Sequence, residues 1–415
     1  MFNTQQEELD ITNYIEKSAE KFIIQDRSEY VPLFKKIEEY AYSNGLVFYG
    51  FDYLKLLNMD KSNRIKFIFD NEPFKVHSYS SNVSGTPIEL RHETQTENVI
   101  ELVKSTIVGT PLEKKDVVCK SNLKVIHGKR ISLDNRVILT ITSYENFVGE
   151  IFNPIEVPGV FADKVLITAK EYNLIDIYKY LSTIEESYAI ENTNTILKLL
   201  DIHQLTRVPK YIPKSGNIDL TKFYDILTDP DVIIIGSFGL LVKKVITQSE
   251  FNGVLTILTS NLNSIKHKLL SAYSKDLFID SPKKSHSNSD YRLKEMVVRY
   301  RDRIILTVYN TLEFELVPFE LIDNYKIGGI YTILKYLMIE YYSLEFKIKS
   351  FNKVLTNPKN EKLYYYFKAL EFLKSIKKKN KIDVILYKNY LGVYYPEQIF
   401  TKRHNIIRRI KFLNN

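Results

Sequence analysis

Apolar and polar residues alternate in the same way along two distant segments of the chain, NRVILTITSYENF at 135–147 and DRIILTVYNTLEF at 302–314. Alternation with a period of two residues predicts β-strands, because successive side chains of a strand point to opposite faces of its sheet. Each predicted strand leads into a proline that is followed two residues later by a glutamate, at Pro154 and at Pro318. Apolar residues at helical spacing come next in both halves, so each half continues into a predicted helix.

The beginnings of the two halves also correspond. An apolar segment, a glycine and a segment with helical spacing follow one another in GLVFYGFDYLKLL at 45–57 and again in DVIIIGSFGLLVKK at 231–244. Each half is therefore predicted as strand, glycine corner, helix, further strands and helix. This order indicates an internal duplication and the α/β (α+β) class, with two tandem units that each hold a mixed sheet with flanking helices.

A segment rich in proline and glycine separates the halves. RVPKYIPKSGN at 207–217 holds two prolines, which lack a backbone donor and fix φ, and then Ser-Gly-Asn. We therefore predict a first unit with an N-terminal helical region over 1–205, a linker over 206–219 and a second unit over 220–350. A helical and basic C-terminal region is predicted over 351–415.

The corner at Gly236-Ser237 has the composition of a triphosphate site. Small residues between a buried strand and a helix allow backbone N–H groups to approach phosphate oxygens, and Gly50 marks the same corner in the first half. This arrangement is typical of the opening of the nucleotidyltransferase fold. Catalysis in that fold also requires two carboxylates, one residue apart on the next strand, and a third on a later strand, which together hold two Mg²⁺ ions.

The second half resembles the catalytic subunit of poxvirus poly(A) polymerase and the related enzymes of giant viruses. The resemblance rests on Gly236-Ser237, on the spacing to GVLTIL at 253–258 and on Val317-Pro318. In that family the strand after the corner has the pattern Gly-Asp-x-Asp-x-Leu. The resemblance implies tandem nucleotidyltransferase-like units and a role in viral mRNA 3′-end polyadenylation.

The metal ligands that the resemblance implies are replaced in the second half. Gly253 and Leu258 match the family pattern, but Val254 and Thr256 stand in place of the two aspartates. The third aspartate should fall in RIILTVYN, where Thr307 occupies the expected position. Neither valine nor threonine offers Mg²⁺ a charged oxygen, so the resemblance implies the fold of the family without its catalysis.

The first half offers one pair of acids at a suitable spacing. If RIKFIFDNEPF at 64–74 is the strand after the corner, Asp70 and Glu72 lie one residue apart and are candidate catalytic and metal-binding residues. Asn71-Glu72-Pro73 also has the composition of a turn, which is the alternative role of these residues.

A second alignment of the first half removes this pair. If PFKVHSYS at 73–80 is the strand instead, Pro73 and Lys75 occupy the ligand positions. The third strand, RVILTITS, has Thr140 where the last acid is expected, although Asp134 and Glu145 lie close to it in the sequence.

These patterns leave three functions open. The first is a catalytically degenerate poly(A)-polymerase-like protein that binds RNA or a partner polymerase subunit. The second is an active poly(A) polymerase that transfers AMP from ATP to RNA 3′ ends, with Mg²⁺ or Mn²⁺ and ATP as its cofactors. The third is a structural or assembly protein that uses the duplicated fold as a scaffold. Besides a polymerase subunit, a second copy is a candidate partner, because exposed apolar faces on either unit would allow a homodimer.

The net charge of +8 lies in about the last tenth of the chain, where ten basic and two acidic residues follow Ile376. A clustered basic excess attracts a polyanion, and RNA is the expected one; a solvated tail that favours solubility is the alternative. The candidate RNA-binding residues are Lys377, Lys378, Lys379, Lys381, Lys402, Arg403, Arg408, Arg409 and Lys411. Tyr364-Tyr365-Tyr366 precede them, either as rings on which bases stack or as core residues.

The remaining features concern the compartment. A single cysteine, Cys119, excludes an intrachain disulfide and indicates a reducing environment. MFNTQQEELD is not a signal peptide, and the longest apolar run has eleven residues, too few to span a bilayer. With the viral resemblance, we expect the host cytoplasm, as in a viral factory, or the virion, and no membrane partner.

Overall fold

A computed structural model of the protein describes residues 30–79, 88–107, 111–121, 124–133, 136–144, 154–182, 198–200, 202–203, 205, 209–272, 277–280, 294–300, 303–311, 314, 317–351 and 356–379. The chain forms two compact units that divide between Ala169 and Lys170, with residues 120–125 grouped with the second unit. None of the described helices is long and apolar enough to cross a membrane.

The first unit has a seven-stranded sheet and four helices among its described residues. The helices are α1 (Val31–Ser43), α2 (Phe51–Leu57), α3 (Lys61–Asn71) and α4 (Ile88–Thr106). The strands are β1 (Val47–Phe48), β2 (Lys75–Tyr79), β3 (Leu112–Ser121), β4 (Lys124–Leu133), β5 (Arg136–Tyr144), β6 (Ile155–Val157) and β7 (Val165–Ile167).

The second unit has a second seven-stranded sheet and six α-helices whose bounds lie within its described residues; residues 198–200 and 202–203 are also helical. The helices are α5 (Lys170–Leu181), α6 (Tyr224–Leu227), α7 (Gly236–Val242), α8 (Leu262–Ala272), α9 (Ile330–Phe351) and α10 (Thr356–Lys379). The strands are β8 (Val232–Ile235), β9 (Leu255–Thr259), β10 (Leu277–Asp280), β11 (Lys294–Tyr300), β12 (Arg303–Asn310), β13 (Phe319–Ile322) and β14 (Tyr325–Gly328). Short 3₁₀ helices occur at Leu220–Phe223 and Gln248–Glu250.

The two sheets have the same topology, strand for strand. Their orders are β3-β4-β5-β2-β1-β7-β6 and β10-β11-β12-β9-β8-β14-β13. The central pairs also agree in direction: β1–β2 and β8–β9 are antiparallel, whereas β2–β5 and β9–β12 are parallel. Both sheets even carry a register shift in the equivalent antiparallel pair, β4–β5 and β11–β12. The internal duplication predicted from the sequence is therefore present in the fold.

The core of the second unit explains why its central strands are so apolar. All residues of β8 and β9 are buried, as expected for strands covered on both faces. One face, with Ile234 and Ile257, packs against Ile265 and Leu269 of α8. Each such side chain contributes about 1.5–3 kcal/mol by leaving water, which makes this face the centre of the unit.

The strand predicted over 64–74 is wrong, because these residues form most of α3 and the turn after it. Ile65, Phe67 and Phe69 alternate like a strand, but a short apolar run fits either period. Phe67 and Ile68 are buried side by side, which a helix allows, and the helix ends before Pro73. The alternative strand, over 73–80, is confirmed as β2.

Candidate functional site

The Gly236 corner in the second unit has the predicted strand, glycine and helix. β8 ends at Ile235, and Gly236 opens α7 with φ of +66°. A Cβ atom on Gly236 would lie 2.9 Å from both Cβ and Oγ1 of Thr256, so only glycine fits against the neighbouring strand. The corner therefore requires glycine both for its backbone conformation and for its close approach to β9.

The ligand positions of this corner hold threonines. Thr256 on β9 lies beside Thr307 on the parallel strand β12, and it also pairs with Ile235 at the end of β8. Both threonines are buried, with 3% and 8% of their surface exposed. A neutral hydroxyl is a weak ligand for Mg²⁺, which prefers carboxylates and water, so this pair offers no charge to a metal ion.

The hydroxyl of Ser237 bonds to neighbouring groups of the protein. It donates to Oδ1 of Asn252 at 2.8 Å and also lies 3.3 Å from the carbonyl oxygen of Val254. Asn252 in turn donates through Nδ2 to Oε1 of Glu361 at 2.6 Å. The serine that would face a phosphate in a nucleotide site therefore stabilises the segment before β9.

Helix α9 covers part of the same sheet face. Tyr309, two residues beyond Thr307 and on the same side of β12, donates its hydroxyl to Oε1 of Glu340 on α9 at 2.9 Å. A Cβ atom on Gly239 of α7 would lie 3.2 Å from Cδ1 of Ile333, also on α9. The face that would hold metal ions is thus packed against side chains of its own unit.

The Gly50 corner in the first unit differs in its surroundings. Gly50 has φ of +94° and ψ of 150°, a conformation nearly restricted to glycine, and a Cβ atom there would meet nothing within 4 Å. The backbone N–H of Tyr49 donates to the carbonyl of Lys75 at 3.0 Å, and Lys75 pairs with Thr140. Lys75 and Thr140 are therefore the counterparts of Thr256 and Thr307.

Lys75 places a positive charge at the position equivalent to Thr256. Its Nζ lies 3.9 Å from Oδ2 of Asp52, in the first turn of α2. An ammonium group at this position repels divalent cations and neutralises the nearest carboxylate. The first corner thus contains an internal ion pair.

His77 lies two residues beyond Lys75 on β2, so its side chain is on the same face of the sheet. Its ring stacks on Tyr49 with centroids 3.6 Å apart, and Nδ1 lies 2.8 Å from Oγ1 of Thr142. Burial lowers the pKa of His77 to about 3, so the imidazole is neutral at physiological pH. The ring of His77 is therefore a buried, neutral part of this sheet face.

The acids proposed from the sequence do not lie on the strand next to the corner. Asp70 is in the last turn of α3, and Glu72 follows the helix in a left-handed conformation, 3.5 Å from Arg130. Asp134 and Glu145 lie outside the described residues. In the described part of the chain, no group of three or more His, Cys, Asp or Glu side chains is placed to hold a metal ion.

The candidate RNA-binding residues lie at the end of the described chain. Lys377, Lys378 and Lys379 form the last turn of α10, whereas Lys381, Lys402, Arg403, Arg408, Arg409 and Lys411 lie outside the described residues. Among the preceding tyrosines, Tyr365 and Tyr366 are buried. They are core residues, and Tyr366 shares a hydrogen bond of 2.8 Å with Tyr178.

Comparisons with known proteins identify the fold. No protein-family model and no curated protein matches this sequence. Among solved structures, the crystal structure of the Megavirus polyadenylate synthase is similar, with a TM-score of 0.59 and 12% sequence identity over 99% of this chain and 84% of that chain. The similarity, together with the repeated topology, confirms the predicted α/β class with two tandem units that each hold a mixed sheet with flanking helices.

Proposed function

We propose that this chain is a viral poly(A)-polymerase-like protein without catalysis of its own, which acts in mRNA 3′-end polyadenylation by binding RNA or a partner polymerase subunit. The observation that supports it best is the pair of equivalent positions on the two sheets. Thr256 beside Thr307 in one unit, and Lys75 beside Thr140 in the other, leave both corners without the acids that the chemistry requires.

The chemistry explains why these replacements matter. Transfer of AMP from ATP requires metal ions that activate the attacking 3′-hydroxyl and neutralise charge on the phosphates. Threonine hydroxyls cannot hold two divalent ions in place, and the ammonium of Lys75 opposes their approach. The fold is then retained for binding, with the basic residues after Ile376 in contact with RNA phosphates, in the host cytoplasm or the virion.

A primer-extension assay tests this proposal. The purified chain is incubated with labelled ATP, an RNA primer and Mg²⁺ or Mn²⁺, and no extension is expected because neither corner can bind the metal ions. A gel-shift assay with the same RNA shows that the preparation is competent to bind.

A matched pair of variants makes the result decisive. Metal-dependent extension by the parent chain would overturn the noncatalytic proposal in favour of an active polymerase. Asp70→Ala, compared with Asp60→Ala at the other end of α3, would then show whether Asp70 takes part. Absence of both extension and RNA binding would instead favour a scaffold.

A further inference from the structure

Three residues form a row across neighbouring strands of the first sheet. Arg130 on β4 pairs with Thr140 on β5, and Thr140 pairs with Lys75 on β2. Directly paired residues point their side chains to the same face of a sheet, so both cations lie on one face with the buried threonine between them. Neighbouring strands are about 4.8 Å apart, which puts the two Cα atoms roughly 10 Å apart. We call Lys75 and Arg130 the basic pair.

The fold does not require these charges, because the second unit lacks them. The equivalent row there consists of Val297, Thr307 and Thr256. The central threonine is the same in both units, and each cation of the first unit corresponds to an uncharged residue of the second. The architecture of the sheet therefore does not account for the basic pair.

The basic pair is accessible to solvent. The side chains of Lys75 and Arg130 are 34% and 37% exposed. The adjoining corner also leaves space: Tyr49 donates its backbone N–H to the carbonyl of Lys75, and a Cβ atom on the next residue, Gly50, would meet nothing within 4 Å. A small anion can therefore reach both cations from the solvent.

The carboxylates next to the basic pair hold it loosely. Nζ of Lys75 lies 3.9 Å from Oδ2 of Asp52, and Nη2 of Arg130 lies 3.5 Å from Oε2 of Glu72. Both distances exceed the roughly 2.7–2.9 Å of a charge-assisted hydrogen bond. Within the described part of the chain, Nε of Arg130 is buried and has no hydrogen-bond partner. The acids of the protein therefore leave both cations incompletely satisfied.

We propose that the basic pair is a phosphate-binding site of the first unit that works without a metal ion. A phosphate group between the two side chains accepts hydrogen bonds from the ammonium of Lys75 and from the guanidinium of Arg130, whose planar fork suits phosphate oxygens. Because Lys75 repels divalent cations, the charge that balances the phosphate comes from the protein itself. The phosphate belongs to an RNA strand or to a free nucleotide. The site is separate from the basic residues after Ile376 and does not depend on their binding RNA.

Protection of Lys75 from acetylation measures binding at this site apart from binding elsewhere. The full chain is acetylated in EDTA, with and without inorganic triphosphate, ATP or a single-stranded RNA, and peptide mass spectrometry gives the rate at each lysine. A probe at ten times its dissociation constant should slow acetylation of Lys75 about tenfold. Lys35 is the matched control, because its Nζ lies 3.8 Å from Glu39 in a similarly long ion pair, and it should keep its rate.

Two substitutions should change this protection in opposite directions. Arg130→Gln removes one cation and should raise the probe concentration for half-protection about tenfold. Glu72→Gln removes the competing carboxylate and should lower that concentration about threefold, a gain that loss of the fold would not produce. Arg136→Gln changes an exposed arginine of β5 and should leave the concentration unchanged.

The same measurements identify the source of the phosphate. Half-protection at a lower concentration of RNA than of ATP assigns the site to an RNA strand, and the reverse order assigns it to a free nucleotide. The proposal is overturned if none of the three probes protects Lys75, if protection requires Mg²⁺, or if neither Arg130→Gln nor Glu72→Gln alters it.

Discussion

His77 distinguishes the chemistry of the first corner from that of the second. The equivalent position in the second unit is Leu258, so the fold itself does not require an ionisable group there. Burial lowers the pKa of His77 from 6.5 to about 3. Above pH 6.5 the ring is neutral in the folded and unfolded states. Below pH 6.5, the unfolded chain binds a proton that the folded chain does not. The free energy of unfolding therefore decreases as the pH is lowered.

The variant His77→Leu should therefore be less sensitive to acid. Between pH 7.5 and pH 5, the parent loses about 2 kcal/mol of unfolding free energy through this residue, and the variant should not. Urea denaturation at the two pH values measures the difference. His267→Leu, which removes an exposed histidine of α8, should retain the loss; equal behaviour of the two variants would contradict the assignment to His77.

Several residues that organise the sites could not be found from the sequence. Glu38 is fully buried and accepts hydrogen bonds from the backbone N–H groups of Val160, Phe161 and Ala162 and from the hydroxyl of Tyr53. Its partners lie more than a hundred residues away, apart from Tyr53. In the sequence, a lone acid on an amphipathic helix cannot be told from a surface residue, because only the fold defines its partners. The hydrogen bond between Asn252 and Glu361 could not be predicted for the same reason.

Among the elements, the sequence was informative where a pattern was long or repeated. The alternating strands β5 and β12 and both glycine corners were predicted correctly. The strand predicted over 64–74 is mostly helix α3. Four of the five residues 65–69 are apolar, a pattern that fits the period of a strand and that of a helix, and only tertiary packing decides between them. That error also placed the candidate acids Asp70 and Glu72 on the sheet, whereas Asp70 lies in α3 and Glu72 directly follows it.

The corner of α7 leads to a prediction about glycine. Gly236 and Gly45 both have φ of +66°, but a Cβ atom on Gly45 would meet nothing within 4 Å, whereas one on Gly236 would meet Thr256 at 2.9 Å. Gly45→Ala should cost about 1–2 kcal/mol, from backbone conformation alone. Gly236→Ala should cost roughly 2–4 kcal/mol, because the methyl group also displaces β9. Urea denaturation of both variants measures the loss of unfolding free energy. Equal losses in the two variants would show that Thr256 moves away from the added methyl group at little cost.

At the scale of the whole molecule, the fold is repeated but the net charge is not. The two sheets repeat one topology, yet the positive excess of the chain lies entirely after Ile376. The repeated fold gives no reason for such a cluster, whereas contact with a polyanion does. The basic region is therefore the part of the chain from which RNA binding is best predicted.

The salt dependence of RNA binding by this region should report the number of phosphate contacts that it makes. Each phosphate contact on a single strand contributes about 0.7 to the slope of log affinity against log salt concentration, so replacing Lys377, Lys378 and Lys379 by glutamine should reduce the slope by about 2. Filter binding between low and physiological salt measures it. The matched control replaces three exposed lysines elsewhere, Lys35, Lys222 and Lys266, and should keep the slope because these lie on other elements. If the two triple variants lose the same slope, binding follows net charge alone, and the basic end of α10 is not a specific contact.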